Sequence, residues 1–190
     1  MAKRVYFAFH YQDVIDFRAN VVRNHHVLKG IDEAGYYDHS IWEESKKKGD
    51  MALKRMINSE LLNSSVTAVL IGSNTYARRW VRYELMQSMA RGNAILGVHI
   101  NGVKGKDGLT KTAGPNPFDY IGIQISDDGT RGRPTEWNGT QWVFYSDVDS
   151  FSLKQQPLDM RGKNYQLSRW FRTHDWAADD GYNNFSNWIA

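Results

Sequence analysis

Two uninterrupted apolar runs, VTAVLIGS over 66–73 and AILGVHI over 94–100, stand on either side of a helix-patterned segment. This arrangement limits the fold more than any other feature of the chain. Short Val- and Ile-rich runs closed by Gly-Ser or Asn-Gly read as strands buried on both faces, the mark of a parallel sheet. Between them Val81 and Leu85 keep helical spacing, with Asn74 or Thr75 placed to cap the helix and Gly92 placed to stop it near Arg91. Upstream, RVYFAFH over 4–10 reads as another buried strand. Asp13 then stands where it can cap a helix over roughly 14–27, with Val14, Phe17, Val21 and Val22 inside and Arg18 and Arg23 outside. A loop with Gly30 and Gly35 leads to a strand-like piece over 36–42. Asp50 precedes MALKRMINSELL, whose stripe is Met51, Leu53, Met56, Ile57 and Leu61. Strand and helix alternate throughout, so an α/β fold with a central parallel sheet flanked by helices is the expectation.

Beyond residue 101 the rhythm changes. Gly105, Gly108, Gly114, Pro115 and Pro117 mark a long loop, of the sort that is usually functional or mobile. TEW and TQWVFY flank Asn138-Gly139, the pair favoured in two-residue hairpin turns. The stretch 151–190 is polar and aromatic, its end helix-like. The reading is one domain over 1–190, with a core of about 1–101 and a C-terminal hairpin and helical decoration over about 102–190.

Composition removes several classes of function. There is no cysteine, so disulfides, thiolate nucleophiles and cysteine metal sites are excluded. No run approaches the ~18 apolar residues that span a bilayer, and Met1-Ala2-Lys3-Arg4 leads into a strand without a signal-peptide core, which suggests a cytoplasmic protein with no membrane partner. The net charge of +3 is scattered, and Lys46-Lys47-Lys48 reads as a solvated loop, so no nucleic-acid partner is expected. His25 and His26 are adjacent and point to different helix faces, which suits no metal site. Asp179-Asp180-Gly181 reads as a turn or helix cap, and HExxH, GxSxG and Walker loops are absent.

In open parallel sheets ligands bind outside the carboxyl ends of the strands. Phe9-His10-Tyr11, Asp38–Glu43 and Ser73–Trp80 occupy such ends and are expected to meet in one crevice. Spacing places Tyr76, Trp80, Glu84 and Ser88 along one helix face, with Glu84 at the edge of a buried stripe. From spacing alone Glu84 is either an ordinary solvated glutamate or a carboxylate facing a bound sugar.

The block SNTYARRWVRYEL over 73–85 closely resembles the TIR-domain motif in which a Ser ends the third strand and a Trp stands shortly before a helical Glu-Leu. RVYFAFHYQD over 4–13 resembles the first TIR strand and the loop that follows it. Together with DMALKRMI, GNAILGVHI, GPNPFDY and the C-terminal WAADDGYNNFSNWI, these segments resemble the TIR-like family of the Thoeris antiphage system, the ThsB family that produces its signal. The resemblance runs through nearly the whole chain.

The resemblance implies a flavodoxin-like TIR fold and an NAD-consuming enzyme, with NAD as substrate and neither cofactor nor metal. Glu84 is the implied catalytic carboxylate, supporting the positive charge that develops on the ribose as nicotinamide leaves. Capture of the sugar by water gives ADP-ribose, and capture within the same nucleotide gives a cyclic isomer. The family is associated with a cyclic ADP-ribose signal that activates a separate NAD-depleting effector, with a phage-derived trigger and self-association as further expected partners. Phe9, His10 and Tyr11 are candidates for stacking on a base, or else core residues. Asp38 and Trp42 fall where TIR domains carry a gating loop, Ser73 and Trp80 in the motif itself. Arg79, beside Arg78, is a candidate for the pyrophosphate and Asn116 for an approach from the long loop, against the plainer readings of a solvated helix start and an ordinary turn. Two other functions fit the same pattern: a non-catalytic TIR adaptor, and a nucleoside deoxyribosyltransferase-like enzyme that sets a helical Glu against a ribose.

Overall fold

The computed structural model describes residues 4–25, 33–34 and 44–190. The apolar runs form the strands expected of them: β1 (Val5–Phe9), β3 (Val66–Ile71) and β4 (Ala94–His99), with a two-residue β2 (Glu33–Ala34) beside β1. Every residue of β3 is buried, as suits a strand covered on both faces. All pairings in this sheet are parallel, and its order is β2-β1-β3-β4-β10, where β10 is Thr173–Asp175. That is the flavodoxin-like order, with its switch point between β1 and β3. The fifth place is taken by a strand from the far end of the chain.

One face of the sheet carries Tyr6, Ala8, Val69 and Ile71, packed against Ile57 and Leu61 of α3 (Asp50–Leu61) and Val81 and Leu85 of α4 (Arg79–Ala90). The other face carries Val5, Phe7, Ala68, Leu70 and Val98, covered by Ala19 and Val22 and by Phe185 of α5 (Gly181–Trp188). In α3 the buried residues Leu53, Ile57 and Leu61 recur every fourth position, whereas Met51 points outward. Gly92, in the left-handed region at φ 79°, ends α4 as the sequence suggests. Asp180 caps α5.

The helix expected over 14–27 is two short ones, α1 (Tyr11–Ile15) and α2 (Arg18–Arg23), parted by Phe17 at φ 65°. Asp13 is no cap: it lies inside α1 and is buried. Val22 is inside and Val14 packs against the second core as expected, but Arg18 and Arg23 are also inside while Phe17 and Val21 are exposed, against the apolar-pattern reading. The piece over 36–42 lies outside the described residues. The α4 segment begins later than expected, after a 3₁₀ turn over Thr75–Ala77, so Tyr76 stands apart from the helix face that carries Glu84 and Ser88.

The second half is more than a hairpin and a helix. It builds an antiparallel sheet, β7-β6-β5-β9, from β5 (Ile121–Ile125), β6 (Arg131–Trp137), β7 (Trp142–Phe144) and β9 (Asn164–Gln166), with β8 (Phe151–Ser152) also on β6. The β6–β7 connection is a four-residue loop and not the two-residue turn. The Asn138 carboxamide oxygen accepts the backbone N–H groups of Thr140 and Gln141 at 2.9 Å each, and so organises the wider loop. Ile121, Ile123, Tyr145 and Leu167 of this half share the first core with Tyr6 and Leu85.

Candidate active site

Glu84 sits on α4 where that helix crosses β1 and β3. It is 5% exposed. Three hydroxyls fix it. Thr67 Oγ1 of β3 donates to Ser88 Oγ at 2.8 Å, and Ser88 Oγ donates to the Glu84 carbonyl at 2.7 Å, which sets the height of α4 on the sheet. Tyr6 of β1 donates its hydroxyl to Glu84 Oε1 at 2.7 Å. The other carboxyl oxygen, Oε2, is buried without a hydrogen-bond partner among the described residues. Burial pushes the Glu84 carboxyl up to about 8, against the Tyr6 hydrogen bond that pulls it down. At neutral pH the group is mainly a neutral acid.

Sequence reasoning did not single out Tyr6. A signal was present: the two-residue period of β1 puts Tyr6 and Ala8 on one face, and a tyrosine buried in a strand needs a partner for its hydroxyl.

The remaining candidates divide among several places. Phe9 follows Val5 and Phe7 onto the opposite face of the sheet, where it packs against the second core, so it does not meet Glu84. His10 stands just before α1, and burial, with Arg78 and Lys111 near, lowers its pKa. Tyr11 opens α1. Arg79 is engaged in ion pairs with Asp50 at 2.7 Å and Asp147 at 3.1 Å, and its guanidinium lies over the Trp80 ring. With Lys54 also on Asp147 at 2.8 Å, these pairs fasten the start of α4 to α3 and to the segment after β7. Trp80 packs against the first core, edge-on to Tyr83. Arg82 reaches Glu136 of β6 at 2.6 Å, a second tie from α4 to the antiparallel sheet. Asn116 caps the turn over Pro117–Asp119, accepting from Phe118 N at 3.0 Å, which is the plainer of its two readings. It also lines a cleft of about 460 Å³ with Tyr120, Trp137 and Trp142, which Glu84 does not line. Asp38 and Trp42 lie outside the described residues.

At the carboxyl ends of β1 and β3 a second carboxyl, Asp13, lies against Gly72: a Cβ on that glycine would stand 2.3 Å from an Asp13 oxygen. Burial raises Asp13 to about 6, with Lys111 pulling the other way. The long loop is a strap laid over this end of the sheet. Ser73 Oγ donates to the Thr112 carbonyl at 2.8 Å, Lys106 N to the Asp16 carbonyl at 3.1 Å, and Arg18 Nη2 to the Leu109 carbonyl at 2.6 Å, while Lys111 pairs with Asp16. Gly114 makes the close approach possible, since a Cβ there would meet the Gly72 carbonyl at 2.3 Å and the Ser73 carbonyl at 2.7 Å. Both are backbone atoms with little room to give. Gly114→Ala is therefore expected to lower stability by about 1–3 kcal/mol, read as a lower denaturant midpoint. An unchanged midpoint would show that the strap does not bear on the strand end.

Among the described residues no group of three His, Asp or Glu is arranged to hold a metal, and no helix is long and apolar enough to cross a membrane.

The chain matches the family model described as "Thoeris protein ThsB, TIR-like domain" over residues 6–105. It is also 56% identical, over 191 aligned positions covering the whole of both chains, to a Bacillus cereus (strain MSX-D12) protein named "Putative cyclic ADP-D-ribose synthase ThsB1". With its parallel sheet in flavodoxin-like order and a helical Glu after the third strand, this chain belongs to the TIR-like ThsB family of the Thoeris system.

Proposed function

We propose that this protein cleaves NAD between nicotinamide and ribose and closes the remaining nucleotide into a cyclic ADP-ribose-type signal for antiphage defence. The observation that carries the reading is the Glu84 carboxyl: buried, held by Tyr6 through one oxygen, and without a partner among the described residues at the other. A buried polar atom without a partner is costly to maintain, and a catalytic role toward a ligand accounts for that cost. The relative's name supports the cyclic product.

The chemistry asks for charge stabilisation more than proton transfer. The C1′–N bond breaks, nicotinamide departs neutral with the bonding electrons, and positive charge spreads over C1′ and the ring oxygen. An ionised Glu84 beside that ribose is worth most in a water-poor site. A nucleophilic nitrogen or hydroxyl of the same nucleotide then bonds to C1′ and sheds a proton, giving one cyclic nucleotide and one nicotinamide per NAD. The cyclic product is the link to a separate NAD-depleting effector, and a phage-derived trigger and self-association set when the reaction runs.

The deciding experiment incubates the full chain with NAD, alone and with extract of phage-infected cells, and follows products by mass spectrometry. The reading expects nicotinamide and a cyclic nucleotide in equal amounts, no product from nucleosides, and silence from Glu84→Gln. Turnover of nucleosides instead would make the protein a deoxyribosyltransferase-like enzyme. Absence of turnover in both conditions, with defence unharmed by Glu84→Gln, would leave an adaptor.

The pH dependence has a sign. Only the ionised carboxyl stabilises a cation, and burial sets Glu84 at about 8 in the free protein. kcat/KM reports groups of the free enzyme, so it should rise about tenfold per pH unit below that value and level off above it. A flat profile between pH 6 and 8 would count against Glu84 as the charged group.

A further inference from the structure

We propose that Tyr6 is the positioning residue of this site: by holding Oε1 of Glu84 it aims Oε2 at a hydroxyl of the reacting ribose. The inference rests on the NAD-cleaving reading above and adds a residue that touches no substrate. Tyr6 is fully buried in β1, and its register is fixed by the parallel pairing Tyr6↔Thr67 with β3. Thr67 in turn holds Ser88, and Ser88 holds the main chain of Glu84. The residue that fixes the carboxyl and the residues that fix its helix therefore sit side by side on adjacent strands, and a shift of one against the other is resisted at both ends.

Consequences for the carboxyl follow from the hydrogen-bond directions. Because the tyrosine donates to Oε1, the proton of the neutral acid resides on Oε2. When that proton leaves, Oε2 becomes a buried acceptor without a partner among the described residues, able to take a hydrogen bond from a ribose hydroxyl. The charge at Oε2 then faces the sugar on which the cation forms. A carboxyl free to rotate would spread its population over several settings, and small misplacements of a catalytic group cost rate steeply. The hydrogen bond also favours the ionised form, so its loss makes the carboxyl harder to ionise.

Tyr6→Phe removes one oxygen and keeps the ring that fills the core, so the fold should persist. The rise of kcat/KM with pH is expected to move up by roughly one unit, so that at pH 7 turnover falls on the order of tenfold. kcat at high pH should stay below wild type, since an ionised but unaimed carboxylate is a poorer catalyst, and KM for NAD should change little. A merely structural tyrosine would lower the amount of folded enzyme and leave the pH midpoint in place.

A second measurement is independent of turnover. In protein labelled with ¹³C at the glutamate carboxyl, one resonance should titrate near 8 and be missing in Glu84→Gln. In Tyr6→Phe that same midpoint should move upward. An unmoved midpoint overturns the inference even if NAD is cleaved. A wild-type protein that turns over no NAD removes the reading it rests on, while the carbon titration still decides whether Tyr6 holds Glu84.

Discussion

Glu84→Gln should unfold at a higher temperature than the wild type at neutral pH while losing NAD cleavage. The wild-type carboxyl ionises at about 8 when folded and at an ordinary 4.5 when exposed. Between those values the folded chain binds more protons than the unfolded one, so stability falls as pH rises through the window. Each unit is worth about 1.4 kcal/mol, which makes about 3 kcal/mol by pH 7. Glutamine has nearly the shape of the neutral acid, can accept the same Tyr6 hydroxyl, and cannot ionise. The two proteins should therefore be equal near pH 4, diverge from pH 5 upward, and differ by several degrees in Tm at pH 7. Thermal melts across pH 4–8 check this directly. Parallel curves would mean that Glu84 is not a buried acid in the folded protein. A residue that costs stability and is nonetheless present fits a functional site better than a packing role.

The other large effect belongs to Arg18. It is 1% exposed, its guanidinium donates to the Leu109 carbonyl at 2.6 Å, pairs with Asp16 at 3.2 Å and lies against Gly105. Arg18→Ala should lose about 2–5 kcal/mol, because it empties a large buried volume and removes the hydrogen bond to Leu109 together with the partner of the half-buried Asp16. Arg18→Met keeps most of the volume and should lose clearly less. Both variants should release the strap, seen as faster hydrogen exchange at residues 105–111. Equal losses in the two would assign the effect to the charge, whereas unchanged exchange would show that the strap is held from elsewhere.

Arg18 also shows where sequence reasoning stops. The strands of the parallel sheet are legible because a buried strand is written in consecutive apolar residues. Val14, Phe17, Val21 and Val22 promise a helix face just as plainly, yet the chain breaks at Phe17 and turns Arg18 inward. The reason lies at Leu109, ninety-one positions away, and no local pattern carries it. The same holds for β10: THD has no apolar run, and it becomes a strand because β4 offers it an open edge. For Glu84 the family motif named the residue, and spacing put it at a buried margin. Its depth and its pairing with Tyr6 are tertiary facts. Phe9, by contrast, reads equally as a stacking residue at a strand end or as a core residue, and its two-residue period with Val5 and Phe7 decides for the core of the other face.

The placing of β10 has a consequence for how the chain acquires its structure. Thr173–Asp175 completes a sheet whose neighbouring strand ends at His99, and the whole antiparallel sheet lies between the two in sequence. During synthesis the first sheet must wait with β4 as a bare edge, a template for pairing with other chains, until the late strand arrives. Contacts so distant along the chain are slow to form. The apolar segment most at risk in that interval is 94–100, so the yield of native protein should depend on how quickly the ribosome carries synthesis from His99 to Asp175.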